Sequence, residues 1–207
     1  MRMSVLGSGR VMAIVRYRAP ADLDAVVHEL VDAGVALVEI TLDTPDALAA
    51  IGRAAGTPGL TIGAGTVRTA DDARAAADAG AAFLVAPGLV PDLLTIAAER
   101  EVAAIPGILT PTELQAAVDA GAAAVKVFPV APVGGPAYIR ALRVPFSDVD
   151  LVPTGGIEVT EVDAYLEAGA ACVGLGGAIV GADAPADAPA MAAIGRRARA
   201  AIAAVGR

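Results

Sequence analysis

The sequence predicts an α/β protein built as a parallel (β/α)8 barrel, and three observations predict it. An amphipathic stretch ending in Asp/Glu-Ala-Gly recurs four times. Each copy runs straight into a short apolar segment: DAGVALVEI at 32–40, DAGAAFLVA at 78–86, DAGAAAVKVF at 119–128 and EAGAACVGLG at 167–176. Glycine just past a helix takes the left-handed conformation at no steric cost, so each phrase marks a helix end. An apolar run of four to six residues is too short for a helix and reads as a strand buried on both faces, the pattern of a parallel sheet. The third observation is the count: eight such runs, roughly 25 residues apart, fill the 207-residue chain as one TIM-type barrel domain over 1–207. A doubly wound open sheet is the alternative arrangement of the same units.

In chain order, strands are expected at 11–16, 37–41, 60–63, 83–86, 103–105, 123–128, 151–152 and 172–175. The intervening helices open on Asp22, Thr69, Thr110 and Thr160, whose side-chain oxygens can accept from the free amides of a first turn. GADAPADAPA at 181–190 reads as a loop before a last helix at 191–205.

Composition narrows the function classes. With 56% hydrophobic and 18% charged residues the chain is not disordered, and 23 Gly with 14 Pro exclude a coiled coil. The longest uncharged stretch, 168–182, holds five glycines and is too short to span a membrane, so a soluble protein is expected. A net charge of −8 argues against nucleic acid or an anionic membrane as partner. The single cysteine, Cys172, lies in an apolar segment and reads as a small buried hydrophobe in a reducing compartment. MRMSVLGSGR, the first ten residues, lacks the apolar core of a secretory signal, so the cytoplasm is the expected location.

In a barrel of this kind chemistry gathers at the C-terminal ends of the strands. Two charged residues break apolar strands there. The chain has fourteen arginines and one lysine, Lys126, within AAAVKVFPV. Desolvation disfavours a charged amine and makes a neutral nucleophile available, a role arginine cannot fill. A Schiff-base lysine is the leading reading, with a structural ion pair or a phosphate contact as alternatives. Glu39 interrupts ALVEITL; it shares a face with Thr41, as Lys126 does with Phe128. Imine chemistry needs a proton shuttle. The one histidine, His28, falls mid-helix and reads as surface or packing, which leaves Glu39. A simple partner for a nearby arginine is the other reading of Glu39.

PTGGI at 153–157 and GLGGA at 174–178 follow the seventh and eighth strands, where barrels often hold phosphate on backbone amides; a tight turn explains either pair as well. GAGT at 63–66 is a further close-approach loop, with Thr66 offering a hydroxyl. No His/Cys cluster has metal-ligand spacing and no nucleotide-binding glycine motif follows a strand, so neither metal nor cofactor is expected.

VEITL (38–42), GAGTV (63–67), PGL (87–89), IPGILTPTE (105–113), VKVFP (125–129) and PTGGI (153–157) occur in one order along nearly the whole chain. In these motifs the chain closely resembles the 2-keto-3-deoxy-6-phosphogluconate/4-hydroxy-2-oxoglutarate (KDPG/KHG) aldolases. The resemblance implies a (β/α)8 homotrimer and a class I mechanism that splits a 2-keto-4-hydroxy acid into pyruvate and an aldehyde. It also implies roles: Lys126 forms the imine and Glu39 moves protons through water. Arg16 and Thr66 lie near the pyruvate carboxylate, and Pro87 and Phe128 form the apolar wall. Gly155, Gly156, Gly176 and Gly177 cradle phosphate, with Thr154 at the edge.

Two residues depart from the pattern. Asp43 stands where some members carry arginine, and an acid there should repel a carboxylate unless it points away. Gly177 stands where members tend to have serine, removing one hydroxyl donor. The expected substrate is thus a 2-keto-3-deoxy sugar acid such as KDPG, cleaved to pyruvate and glyceraldehyde 3-phosphate, with 4-hydroxy-2-oxoglutarate as a second. Two competing readings are a phosphosugar isomerase or epimerase using Glu39 as base and a non-catalytic sugar-phosphate binding protein.

Overall fold

A computed structural model describes residues 6, 7 and 9–205. Its elements alternate as β1 (Val11–Val15), α1 (Leu23–Asp32), β2 (Leu37–Thr41), α2 (Ala47–Ala54), β3 (Thr61–Gly65), α3 (Ala70–Asp78), β4 (Phe83–Val85), α4 (Leu93–Glu99), β5 (Ala103–Ile105), β6 (Gly107–Ile108), α5 (Pro111–Asp119), β7 (Ala124–Val127), α6 (Gly135–Arg143), β8 (Asp150–Pro153), α7 (Val162–Glu167), β9 (Val173–Leu175), α8 (Gly177–Val180) and α9 (Ala188–Ala203). The strands form two parallel sheets, one in the order β5-β4-β3-β2-β1-β9 and one in the order β6-β7-β8. This is an α/β fold on parallel strands. Among the described residues no helix is long and apolar enough to cross a membrane.

The helix ends follow the sequence closely. Gly34, Gly80, Gly121 and Gly169 have φ between +90° and +99°. In each case the glycine amide and the amide after it donate back into the last turn, as Gly34 does to Val31 O and Val35 to Leu30 O. These paired bonds satisfy carbonyls a helix end otherwise leaves open. At the other ends, Asp22, Thr69 and Thr110 each accept from the third helical amide. Thr160 does not cap a helix: it lies inside a 3-10 turn, Val159–Glu161, that leads into α7. The last helix begins at Ala188 rather than 191, because Asp187 accepts from Ala190 N at 2.8 Å and Pro189 is tolerated in a first turn.

Strand ends move by a residue or two, with two larger differences. The expected strand 103–105 is followed by β6 in the other sheet. Pro106 lies between, with no N–H to extend the ladder toward β4, and its carbonyl accepts instead from Lys126 N at 2.9 Å. A single parallel bridge, Thr154 to Gly174, links β8 to β9. Second, GAGT is strand rather than loop as far as Gly65. A Cβ on Gly63 would strike the Phe83 ring, and one on Gly65 the Glu39 carboxylate, so both glycines make room for side chains of neighbouring strands.

Alternation along the strands builds the interior in layers. Met12, Leu37, Phe83, Ala124, Val152 and Cys172 come from both sheets and form one buried cluster. Two residues further along the same faces stand Ile14, Glu39, Val85, Lys126, Thr154 and Gly174. The apolar cluster therefore lies beneath these positions as a floor. The opposite strand faces pack on the helices in a second, larger core.

Gly34→Ala should cost about 1 kcal/mol, from the left-handed backbone alone, since nothing lies within 4 Å of its Cβ position. Gly169→Ala should cost more, because the added methyl would lie 2.9 Å from Arg143 Cγ; urea midpoints at unchanged slope measure the difference. Burial pushes the Cys172 thiol up to about 12, so iodoacetamide at pH 8 should leave native protein unmodified and alkylate it only in denaturant.

Candidate active site

Lys126 and Glu39 come from different sheets, β7 and β2, and meet across the interior with Nζ 3.6 Å from Oε1. Glu39 is wholly buried and Lys126 is 6% exposed. Both Glu39 carboxylate oxygens are buried, and neither accepts a hydrogen bond from a described protein group. A carboxylate with no donors is costly inside a protein, and such exceptions to the rule of satisfied buried polar groups often mark chemistry. Gly65 is what permits the arrangement, since any side chain there would occupy the carboxylate's place. The Lys126 ammonium also lies 5.5 Å from the centre of the Phe128 ring.

A cavity of about 600 Å³ opens above the pair. Its wall includes Arg16, Thr66, Pro87, Lys126, Phe128, Thr154, Gly155, Gly156, Gly176 and Gly177, so the structure brings together Lys126 and every binding residue that the resemblance implies. Glu39 alone stands behind the wall, reached through Lys126. At one side of the mouth, Arg16 donates from Nη2 to Thr66 Oγ1 at 2.6 Å and from Nε to Thr41 Oγ1 at 3.4 Å. Thr66 holds φ +59°, a left-handed conformation that a β-branched residue rarely adopts, and strain of this kind gathers where a fold must aim a group. Asp43 does not point away: it pairs with Arg16 at 3.5 Å, so its charge is spent on the guanidinium rather than set against a ligand. Beneath Arg16, the Thr41 and Thr44 hydroxyls lie 3.1 Å apart, and Thr44 accepts from Tyr17 N. Thr44 was not foreseen; within TLDTP it reads as an ordinary turn residue.

The other side is built from glycine. Gly155 and Gly156 follow β8 with φ of +96° and +76°, and a Cβ at Gly155 would lie 2.9 Å from the Phe128 ring. Gly176 and Gly177 open α8, whose first internal bonds are donated by Ile179 and Val180 to Gly176 O. The amides of Gly177 and Ala178 precede those bonds, as the first amides of any helix do. Thr154 is buried, with its hydroxyl donating to Val152 O at 3.3 Å. Further wall residues were not picked out from the sequence, notably Ile14, Ile157 and Glu158. Ile14 was readable, since strand alternation puts it on the face of Arg16. His28 lies far from all this, its exposed imidazole 3.2 Å from Asp32 on the same helix. Among the described residues no group of three His, Cys, Asp or Glu is placed to hold a metal ion.

The arrangement offers one amine, one unsatisfied carboxylate beside it, a cation at one end of a cavity and backbone amides at the other. Comparison with known proteins agrees with that reading. The family model described as KDPG and KHG aldolase matches residues 3–196. A 2-dehydro-3-deoxy-phosphogluconate aldolase of Pseudomonas aeruginosa is 37% identical over 158 residues, 76% of this chain and 72% of the relative. The solved 2-keto-3-deoxy-6-phosphogluconate aldolase of Zymomonas mobilis is 33% identical with a TM-score of 0.81, covering 95% of this chain and 94% of that one. The KDPG aldolase of Legionella pneumophila, solved with pyruvate captured as a covalent carbinolamine, is 31% identical with a TM-score of 0.80 over 95% and 96% of the two chains.

Gly65→Ala tests the packing behind the pair. The methyl must displace the Glu39 carboxylate, so turnover of a substrate of the matched aldolases should fall at least 100-fold while circular dichroism shows a folded protein.

Proposed function

The chain belongs to the KDPG and KHG aldolase family and is an aldolase, and we propose that it cleaves 2-keto-3-deoxy-6-phosphogluconate reversibly to pyruvate and glyceraldehyde 3-phosphate through an imine on Lys126. The observation that carries this reading is the buried pairing of the chain's one lysine with a carboxylate that accepts no hydrogen bond among the described residues.

The Lys126 amine adds to the C2 carbonyl, and the carbinolamine loses water with proton transfer by Glu39, giving an iminium ion. Removal of the C4-hydroxyl proton then breaks the C3–C4 bond. Its electron pair passes into the iminium as an enamine and the aldehyde departs. Protonation at C3 and addition of water return pyruvate and free amine. The iminium is the electron sink, so this cycle calls on neither a metal nor an organic cofactor. The carbinolamine of the Legionella relative supports the first step.

Binding follows the same geometry. Arg16 and Thr66 receive the carboxylate, and Pro87 and Phe128 wall the pyruvyl group. The amides of Gly155, Gly156, Gly176 and Gly177 receive the phosphate, with Thr154 at the edge. The family's description supports 4-hydroxy-2-oxoglutarate, cleaved to pyruvate and glyoxylate, as a second substrate.

In this reading residues 1–207 make one (β/α)8 domain, in which β5 and β6 count as one strand interrupted at Pro106. The Thr154–Gly174 bridge and the Lys126 to Pro106 bond support closure of the two sheets on each other. The family resemblance supports a cytoplasmic homotrimer.

Borohydride added with pyruvate should leave a reduced adduct on Lys126 by intact mass and peptide mapping, absent without pyruvate. Lys126→Arg should abolish the adduct and lower turnover at least 1,000-fold, and Glu39→Gln should lower turnover roughly 100- to 10,000-fold. No adduct in folded protein across several pH values would overturn the imine, and partial activity in Lys126→Arg would point to an isomerase using Glu39 as base.

A further inference from the structure

The end of the cavity assigned to phosphate has an unexpected charge. Two basic side chains line the cavity, Arg16 and Lys126, and each already has a carboxylate within 3.6 Å, Asp43 and Glu39 respectively. Arg197 does not line the cavity; its Nε donates to Ile179 O at 2.6 Å, and its Nη2 lies 3.6 Å from where a Cβ on the wall residue Gly181 would stand. Glu158, by contrast, is exposed on the cavity wall two residues beyond Gly156 and forms no ion pair among the described residues. Its backbone amide donates to the Glu161 carboxylate at 2.8 Å, and its own side chain answers toward the Glu161 amide, a reciprocal capping box that fixes the turn at the cavity wall and leaves the carboxylate's charge and remaining acceptor sites in place. At Gly177 an added Cβ would meet nothing within 4 Å, so that position supplies space and no side-chain donor.

Backbone amides bind an anion through partial charges, whereas Glu158 carries a full negative charge of the same sign as a phosphate dianion. A terminal hydroxyl meets the opposite situation, because a carboxylate accepts hydrogen bonds from it. We propose that Glu158 is a specificity-determining residue that disfavours a terminal phosphate and accepts from the hydroxyls of an unphosphorylated chain. The aldolase then cleaves the unphosphorylated 2-keto-3-deoxy sugar acid with an efficiency comparable to that for its 6-phosphate. This inference rests on the aldolase reading and on the placement of the substrate's distal end against the glycine loops.

The test compares kcat/KM for the two sugar acids, identical but for the phosphate, in the wild type and in Glu158→Gln and Glu158→Ser. The wild-type values should lie within about tenfold of each other. Both variants should raise the phosphorylated-to-unphosphorylated ratio by about tenfold at low ionic strength, through KM, with the gain shrinking in 0.5 M salt, as expected of a like-charge interaction that salt screens. Inhibition by inorganic phosphate should tighten in parallel, a readout independent of turnover. An unchanged ratio and unchanged phosphate inhibition in both variants would overturn the proposal. A wild type that takes the pyruvate label on Lys126 yet cleaves neither acid would overturn it together with the substrate class. Absence of the label would instead overturn the aldolase chemistry beneath it.

Discussion

The contact between Lys126 and Glu39 is the constraint around which the interior is arranged. A lysine and a glutamate taken out of water lose several kcal/mol of solvation each, and their mutual attraction offsets this only in good geometry. Here the geometry is not optimised for stability: the two approach to 3.6 Å and the carboxylate gains no other donor among the described residues. Replacing such a pair by apolar side chains is often neutral or stabilising. Its presence, on two strands of two sheets, is therefore to be explained by what the amine and the carboxylate do. Gly65 gives up its side chain to make room, and the apolar layer of Met12, Leu37, Phe83 and Cys172 seals the pair from below.

Around that centre the chain separates jobs by residue type. In the proposed reading, the groups that react are side chains on strands, held by alternation and by the sheets on either side. The groups proposed to bind are drawn from loops just beyond the strand ends, where Thr66 and Gly155 adopt positive φ. The Arg16 guanidinium joins the two: it starts at the end of β1 and is held by Thr41, Thr66 and Asp43. Such a cation is already positioned before any carboxylate arrives, which lowers the ordering cost of binding. Asp43, suspect from the sequence as a repulsive charge, is part of that positioning.

Much of this was legible before any coordinates. Four Asp/Glu-Ala-Gly phrases became four left-handed helix ends because the glycine requirement is local. Lys126 and Glu39 stood out because each breaks an apolar strand, although their separation depends on how two sheets face each other and no spacing in the sequence encodes it. Local reasoning failed where a residue serves a distant one. Gly65 looked like part of a loop because the Glu39 side chain that demands it lies on another strand. Pro106 splits the fifth strand through an amide it lacks, and the two-residue β6 is too short to show periodicity. Thr160 looked like a cap, yet the chain spends it inside a 3-10 turn before α7. Glu158 escaped notice because an acid after a glycine turn is an ordinary way to begin a helix.

The apolar floor also sets the traffic of the site. A chamber closed beneath by the described apolar layer exchanges its contents through its open side, in the order of their distance from it. In the proposed binding mode the fragment joined to Lys126 lies next to that floor, while the fragment against the glycine loops lies farther from it. Whatever bond is broken between them, the outer piece must clear the passage before the inner one can follow. In the reverse direction the inner piece must be seated first. In the proposed binding mode the layering of side chains along a few short strands thus imposes a sequence in time on the reaction.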